Sequence, residues 1–109
     1  MCLGELEQAE RRFLESLQIA HDLGNQGLMM IPLAGLAGVW VSRGEAQRAI
    51  EVCAFLLNHY AAWRETKSQA ARWLALAVKE LPEEAVSAAQ VRGEALESAA
   101  LIEELLANS

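Results

Sequence analysis

Proline is scarce in this chain, which has only Pro32 and Pro82, and from Glu45 to Leu81 there is neither a proline nor a glycine. Nothing in that span interrupts a helix by backbone chemistry. Cysteine is limited to Cys2 and Cys53, too few for the disulfide framework of a small secreted domain. Cations are short as well: nine Lys and Arg stand against fifteen Asp and Glu, for a formal charge of −6 and a pI near 4.9. The nine basic residues form no run, so the chain repels a phosphate backbone or an anionic bilayer, and neither nucleic acid nor a membrane is an expected partner. The longest uncharged stretch, Leu23 to Ser42, is interrupted by Asn25, Gln26, Pro32 and four glycines, and no basic segment leads into an apolar one. No transmembrane span or signal peptide is read, and the cytoplasm is the expected compartment.

Residues that carry chemistry are equally thin. The two histidines, His21 and His59, stand 38 positions apart, with no nearby cysteine and no H-E-x-x-H spacing, so no metal site is expected. Each is read instead as a helix-end residue able to bond the last carbonyls. Glu83/Glu84 and Glu103/Glu104 are adjacent in helical segments and point in different directions, which suits a solvated face and not an acid and base pair. Ser16, Ser42, Ser68, Ser87 and Ser98 lack a nucleophile-elbow setting, and no Gly-rich phosphate loop occurs. The chain is therefore expected to be no enzyme and to need no cofactor. Of the three tryptophans, Trp40 and Trp73 fall on apolar stripes and are assigned to the core, while Trp63 is the one placed at a surface.

What the chain does have is hydrophobic mass in helical spacing. The 53% hydrophobic fraction over 109 residues supports one packed domain spanning 1–109, and its Ala and Leu favour an all-α fold. The spacing predicts a first helix from Glu5 to Leu23, with Leu6, Ala9, Phe13, Leu17 and Ala20 on one face and Gly24 ending it in a left-handed conformation. A second helix carries Leu33, Leu36, Ala37 and Trp40. Pro32 favours a start near Met30, since a start near Gly27 places the proline where a backbone hydrogen bond is lost. Gly35 and Gly38 each cost about 1 kcal/mol in a helix relative to Ala, which points to close approach by a neighbouring helix. The stripe of Ile50, Cys53 and Leu57 ends near Tyr60 and a new one runs through Trp63, Ala70, Trp73, Leu74 and Ala77, which places a break between His59 and Ala62. Pro82 suits a first helical position, a short helix runs to Val91, Gly93 interrupts, and Ser98 to Leu106 closes the chain. About six helices result.

One device occurs twice. Gly4-Glu5-Leu6 and Gly44-Glu45-Ala46 lie forty residues apart, and each is followed at identical offsets by small and large apolar residues: Ala9, Phe13 and Leu17 in one copy, Ala49, Cys53 and Leu57 in the other. Between them stands Leu33-x2-Leu36-Ala37-x2-Trp40. The Leu33 to Trp40 series has the spacing W-x2-L-G-x2-Y, and Ala9-x3-Phe13 and Ala49-x3-Cys53 the spacing A-x3-F, of the two helices of a tetratricopeptide repeat. In such a hairpin small residues let two helices approach, so Ala37 is expected to face Ala49, with Leu33, Trp40 and Cys53 around the contact.

The stretches from Phe13 to Gly24, Leu33 to Val39 and Gly44 to Ile50, with Trp63 to Lys67, Leu81 to Glu84 and Ala88 to Leu96, together resemble the tetratricopeptide arrays that close large bacterial signal-transduction ATPases and related transcription regulators. The resemblance implies helical hairpins in a right-handed superhelix, a C-terminal fragment of a longer sensor or regulator, and a nucleotide site in another domain. It departs from the family where His21 and Ala61 stand in place of the proline ending each second helix, and where Cys53 replaces an aromatic residue. The implied function is a non-enzymatic protein–protein interaction module contacting another protein or a domain of its own polypeptide. A structural cap that ends the array is the alternative. The first helix is expected to be covered on one side only, leaving Leu6, Phe13 or Leu14 exposed and favouring a homodimer through the N-terminal helix.

Overall fold

A computed structural model of the protein describes residues 3–59 and 62–107. Six α-helices run through them: α1 (Leu3–Leu23), α2 (Gln26–Arg43), α3 (Ala46–Asn58), α4 (Arg64–Ala77), α5 (Glu83–Ala95) and α6 (Ser98–Ala107), with a 3-10 turn, Val78–Glu80, continuing α4. No strand occurs among the described residues. The fold is all-α, as the composition and spacing predict.

The turns after α1 and α2 are one structure used twice. Gly24 and Gly44 have φ of 70° and 91°, the left-handed region that an L side chain enters only with strain. In each turn the glycine N–H donates three residues back, to His21 O at 3.0 Å and Val41 O at 3.2 Å. The next residue donates five back, from Asn25 to Ala20 O at 3.2 Å and from Glu45 to Trp40 O at 2.8 Å. Two residues thus stop one helix and leave the chain ready to begin the next. Gly4 has no such role: it lies within the first turn of α1, without positive φ, so the Gly-Glu pairs forty residues apart are not equivalent.

Helix α2 begins at Gln26, four residues before the start that Pro32 favours, and it contains the proline. The reason is local and tertiary together. The Asn25 side chain caps the helix by accepting from Leu28 N at 3.1 Å, which satisfies an end donor that a later start would leave unused. A proline inside a helix costs about 3 kcal/mol, but Met29 and Met30 become buried in the extended helix. Burial of two such side chains stabilises by roughly 1.5–3 kcal/mol each.

The expected break between α3 and α4 is present: α3 ends at Asn58 and Trp63, in extended conformation, precedes α4. Positions 60 and 61, where one apolar stripe was expected to end, lie outside the described residues. Pro82 stands one residue earlier than expected, as the extended residue before Glu83, its carbonyl accepting from Val86 N at 3.0 Å. Gly93 does not interrupt: α5 passes through it and through Val91 to Ala95.

Helix α2 is the centre of the packing, with every residue from Pro32 to Trp40 buried. It touches α1, α3 and α4, while α3 in turn touches α4 and α5. Ala37 and Ala49 are fully buried on the packed pair α2 and α3, together with Leu33, Leu36, Trp40 and Cys53. At the far end α5 lies on α3, and α6 returns to touch α1, with its Leu101, Ile102 and Leu105 buried, Leu101 and Leu105 near Trp40 and Val52. This return gives a radius of gyration of 12.9 Å, close to the roughly 13 Å of a compact 100-residue domain.

Candidate functional site

Three glycines of α2 each receive an aromatic ring. A Cβ built on Gly35 would meet Phe13 Cζ of α1 at 2.5 Å, one on Gly38 would meet Trp73 Cε2 of α4 at 2.7 Å, and one on Gly27 would meet Trp63 Nε1 at 3.0 Å. A real Cβ essentially never shows the contacts at Gly35 and Gly38, so any larger residue there displaces a ring, while at Gly27 the Trp63 indole would have to give by a few tenths of an ångström. The close approach predicted at Gly35 and Gly38 is present, but it is made by rings and not by a helix backbone. Glycine in mid-helix is disfavoured, and here it provides a flat floor on which rings rest.

That floor opens into a groove of about 220 Å³ between α1 and α4. Leu6, Ala9 and Phe13 form one wall, Gly35, Gly38 and Val39 the floor, and Trp73 with Gln69 the other wall. Its lining is almost wholly apolar, the polar exceptions being Gln69 and Ser42. The Trp73 indole N–H is buried and bonded to no described residue. A second, open apolar hollow of about 260 Å³ lies between α1 and α2, lined by Ile19 and Leu23 of α1 and by Leu28, Ile31 and Pro32 of α2.

The opposite end of α1 and α2 is held by charge. Arg43 lies 2.8 Å from Glu10 of α1 and 3.3 Å from Glu45, Arg48 lies 3.8 Å from Glu45, and the Arg48 guanidinium sits 4.2 Å above the centre of the Trp40 ring. Glu10 and Arg43 are largely shielded, so this pair is screened less than a surface pair. The guanidinium over Trp40 adds a cation–π contact that keeps the ring covered.

Most of the expected repeat positions fall inside. Leu33, Leu36, Ala37, Trp40, Ala49 and Cys53 are buried, Ala9 and Phe13 are half-buried against the core, and Gly4 and Gly44 are exposed. Burial pushes the Cys53 thiol up to about 12, which leaves it protonated and unreactive at neutral pH. The expectation that the N-terminal helix exposes Leu6, Phe13 or Leu14 is corrected: Leu6 is buried and the other two are half-buried. Among the described residues, the large apolar side chains that α1 exposes are Ile19 and Leu23. Trp63 is at the surface, as expected.

The histidines are dispersed. His21 lies 3.9 Å from Asp22, and His59 ends α3, its backbone N–H donating to Leu56 O at 3.3 Å and its ring tilted against Phe55 at 5.1 Å. Desolvation first, and then the positive charge of Lys67, lower the His59 pKa. Among the described residues no three His, Cys, Asp or Glu side chains come together in a way that could hold a metal ion, and no helix is long and apolar enough to cross a membrane.

Two functional elements were not legible beforehand. The ring of Trp63 on Gly27 joins positions 36 apart, and only the fold brings them together. The Gly93 seam is likewise tertiary: a Cβ there would strike the Glu51 carbonyl and lie 2.8 Å from Ala54 Cβ of α3. The signal for it was the glycine itself, read as a stop. No family model, no curated protein and no solved structure matches this chain.

Proposed function

We propose that this chain is a non-enzymatic protein–protein interaction module of tetratricopeptide type, working in the cytoplasm as part of a bacterial signalling or transcription-regulating protein. The observation that carries the reading is the glycine-floored groove between α1 and α4, bounded by the Phe13 and Trp73 rings and lined by apolar side chains. Such a surface fits an apolar side chain of a protein segment, whether from another protein or from a domain of the same polypeptide. The formal charge of −6 disfavours nucleic acid or an anionic membrane in that place. The packing of α2 on α1, α3 and α4, and of α3 on α4 and α5, supports the helical-hairpin reading.

The second reading is a structural cap that ends a repeat array and binds nothing. The return of α6 onto α1 favours it, since a terminal element that covers an apolar side is what a repeat array requires. Selection of a random peptide library on the immobilised chain separates the two. The module reading expects enriched peptides with a shared apolar anchor, whose binding is lost in Gly38→Val, where the added side chain displaces Trp73 into the groove. No enrichment above background, or enrichment that Gly38→Val leaves unchanged, would favour the cap.

A further inference from the structure

Four of the large exposed apolar side chains gather around the α1–α2 turn. Leu23 and Ile19 are 69% and 62% exposed, Trp63 is 49% and Ile31 is 42%. Ile19, Leu23 and Ile31 line one hollow, and Trp63 rests on Gly27, four residues before Ile31 and so on the same face of α2. Scattered apolar residues on a surface need no explanation, but a gathered patch does.

We propose that a second copy of this chain docks on this patch through a two-fold interface. The area suits it. Taking a large side chain as about 150–250 Å², the four residues expose roughly 400 Å² of apolar surface. A dimer of standard size takes about 800 Å² from each partner, with a centre about two-thirds apolar, so the patch supplies the greater part of such a centre. Charge sets the operator. The α1 border of the patch is acidic, with Asp22 beside Leu23 and Glu15 one turn before Ile19, whereas α4 opens beside Trp63 on Arg64, Glu65 and Lys67, which together carry a net positive charge. A two-fold axis running along the turn lays the α1 border of each copy over the α4 border of the other. Leu23 then meets the partner's Trp63, and Asp22 meets the partner's Arg64, twice. Asp22 already accepts from Gln18 at 2.9 Å within its own helix, which holds the carboxylate at the border. The patch shares no lining residue with the groove of the proposed function, so either reading can fail without the other.

Sedimentation equilibrium of the 109-residue chain from about 1 μM to 1 mM tests this, with Leu23→Glu, Asp22→Arg, Arg64→Asp and the double reversal run beside the parent. All three positions are exposed, and unchanged far-UV dichroism certifies the fold of each variant. The parent is expected to dimerise, Leu23→Glu to weaken the dimer by at least about tenfold, each single reversal to weaken it, and the double reversal to restore it. A parent that stays monomeric to 1 mM overturns the proposal, and peptide binding to such a monomer would assign the patch to another occupant. A dimer indifferent to Leu23→Glu places the contact on a different face. A double reversal no better than the singles removes the two-fold register.

Discussion

The two turns of the chain share a backbone and differ in everything around it. At Gly24-Asn25 and Gly44-Glu45 the same pair of hydrogen bonds ends the helix and the same positive φ turns the chain. Around Gly44, Glu10, Arg43, Glu45 and Arg48 form a chain of charges over Trp40, which is 1% exposed. Around Gly24, Leu23 and Ile19 project into solvent beside an open hollow. The backbone device therefore decides only where a helix ends. The neighbouring side chains decide whether that end is sealed into the domain or left as a surface for another molecule.

Among the glycine substitutions the largest effect is expected on the sealed side, at Gly93. A methyl group there meets the backbone of α3 at Glu51 and the side chain of Ala54, neither of which can swing aside, so α3 and α5 must separate. Overpacking of this kind costs about 1–3 kcal/mol, and Gly93→Ala belongs at the upper end, with a melting temperature lower by roughly 10 °C. The helix propensity of alanine, about 1 kcal/mol better than glycine, works the other way. A variant as stable as the parent would show that the α3–α5 seam is looser than its geometry.

Next is the pH dependence of the sealed core through Cys53. Its thiol is held protonated by burial, with a pKa near 12 against 9.0 for an exposed thiol. Since the folded pKa is raised, the contribution to stability is complete below pH 9 and is lost as pH rises toward 12, by about 1.4 kcal/mol per pH unit. Denaturant titrations at pH 8 and pH 10, compared between the parent and Cys53→Val, isolate this from other groups. The parent should lose more stability over that interval than the variant, and parallel losses would mean that the thiol reaches water.

The same contrast explains how much was legible in the sequence. The helices could be read because their apolar residues recur every three or four positions, and Gly24 could be read as an end because a left-handed residue is a local requirement. The start of α2 was read too late because Pro32 argues locally against a helix, while the Asn25 cap and the burial of Met29 and Met30 together outweigh it. Gly93 was read as a break for the same reason: nothing in α5 announces that α3 passes within contact distance. For the groove, the glycine spacing at 35 and 38 signalled close approach, but the identity of what approaches, Phe13 and Trp73, depends on which helices flank α2.

Replacing each turn glycine by alanine compares the two turns directly. A Cβ at either position has nothing within 4 Å, so sterics with neighbours drop out and only the left-handed conformation is charged, at about 1–2 kcal/mol. Gly24→Ala and Gly44→Ala should therefore lose stability equally in chemical denaturation, despite the different surroundings. A much larger loss at Gly44 would mean that the charge network depends on the turn geometry and contributes through it.

The smallest effect, and the one that most sharpens the comparison, is expected at Leu23. In a sealed position Leu to Ser removes buried apolar area and costs several kcal/mol, as large-to-small core changes do. At Leu23, which is 69% exposed, little area leaves water on folding, and surface substitutions away from special features stay within about 0.5 kcal/mol. Leu23→Ser should therefore leave the midpoint of urea unfolding unchanged when measured at low micromolar concentration, where the chain alone is being assayed. The counterpart on the sealed turn is Trp40→Ala, expected to cost about 3–5 kcal/mol, with loss of the ring under Arg48. If Leu23→Ser lowered stability by more than about 1 kcal/mol in that dilute assay, Leu23 would be packed within its own chain, and the α1–α2 edge would have to be counted with the sealed side.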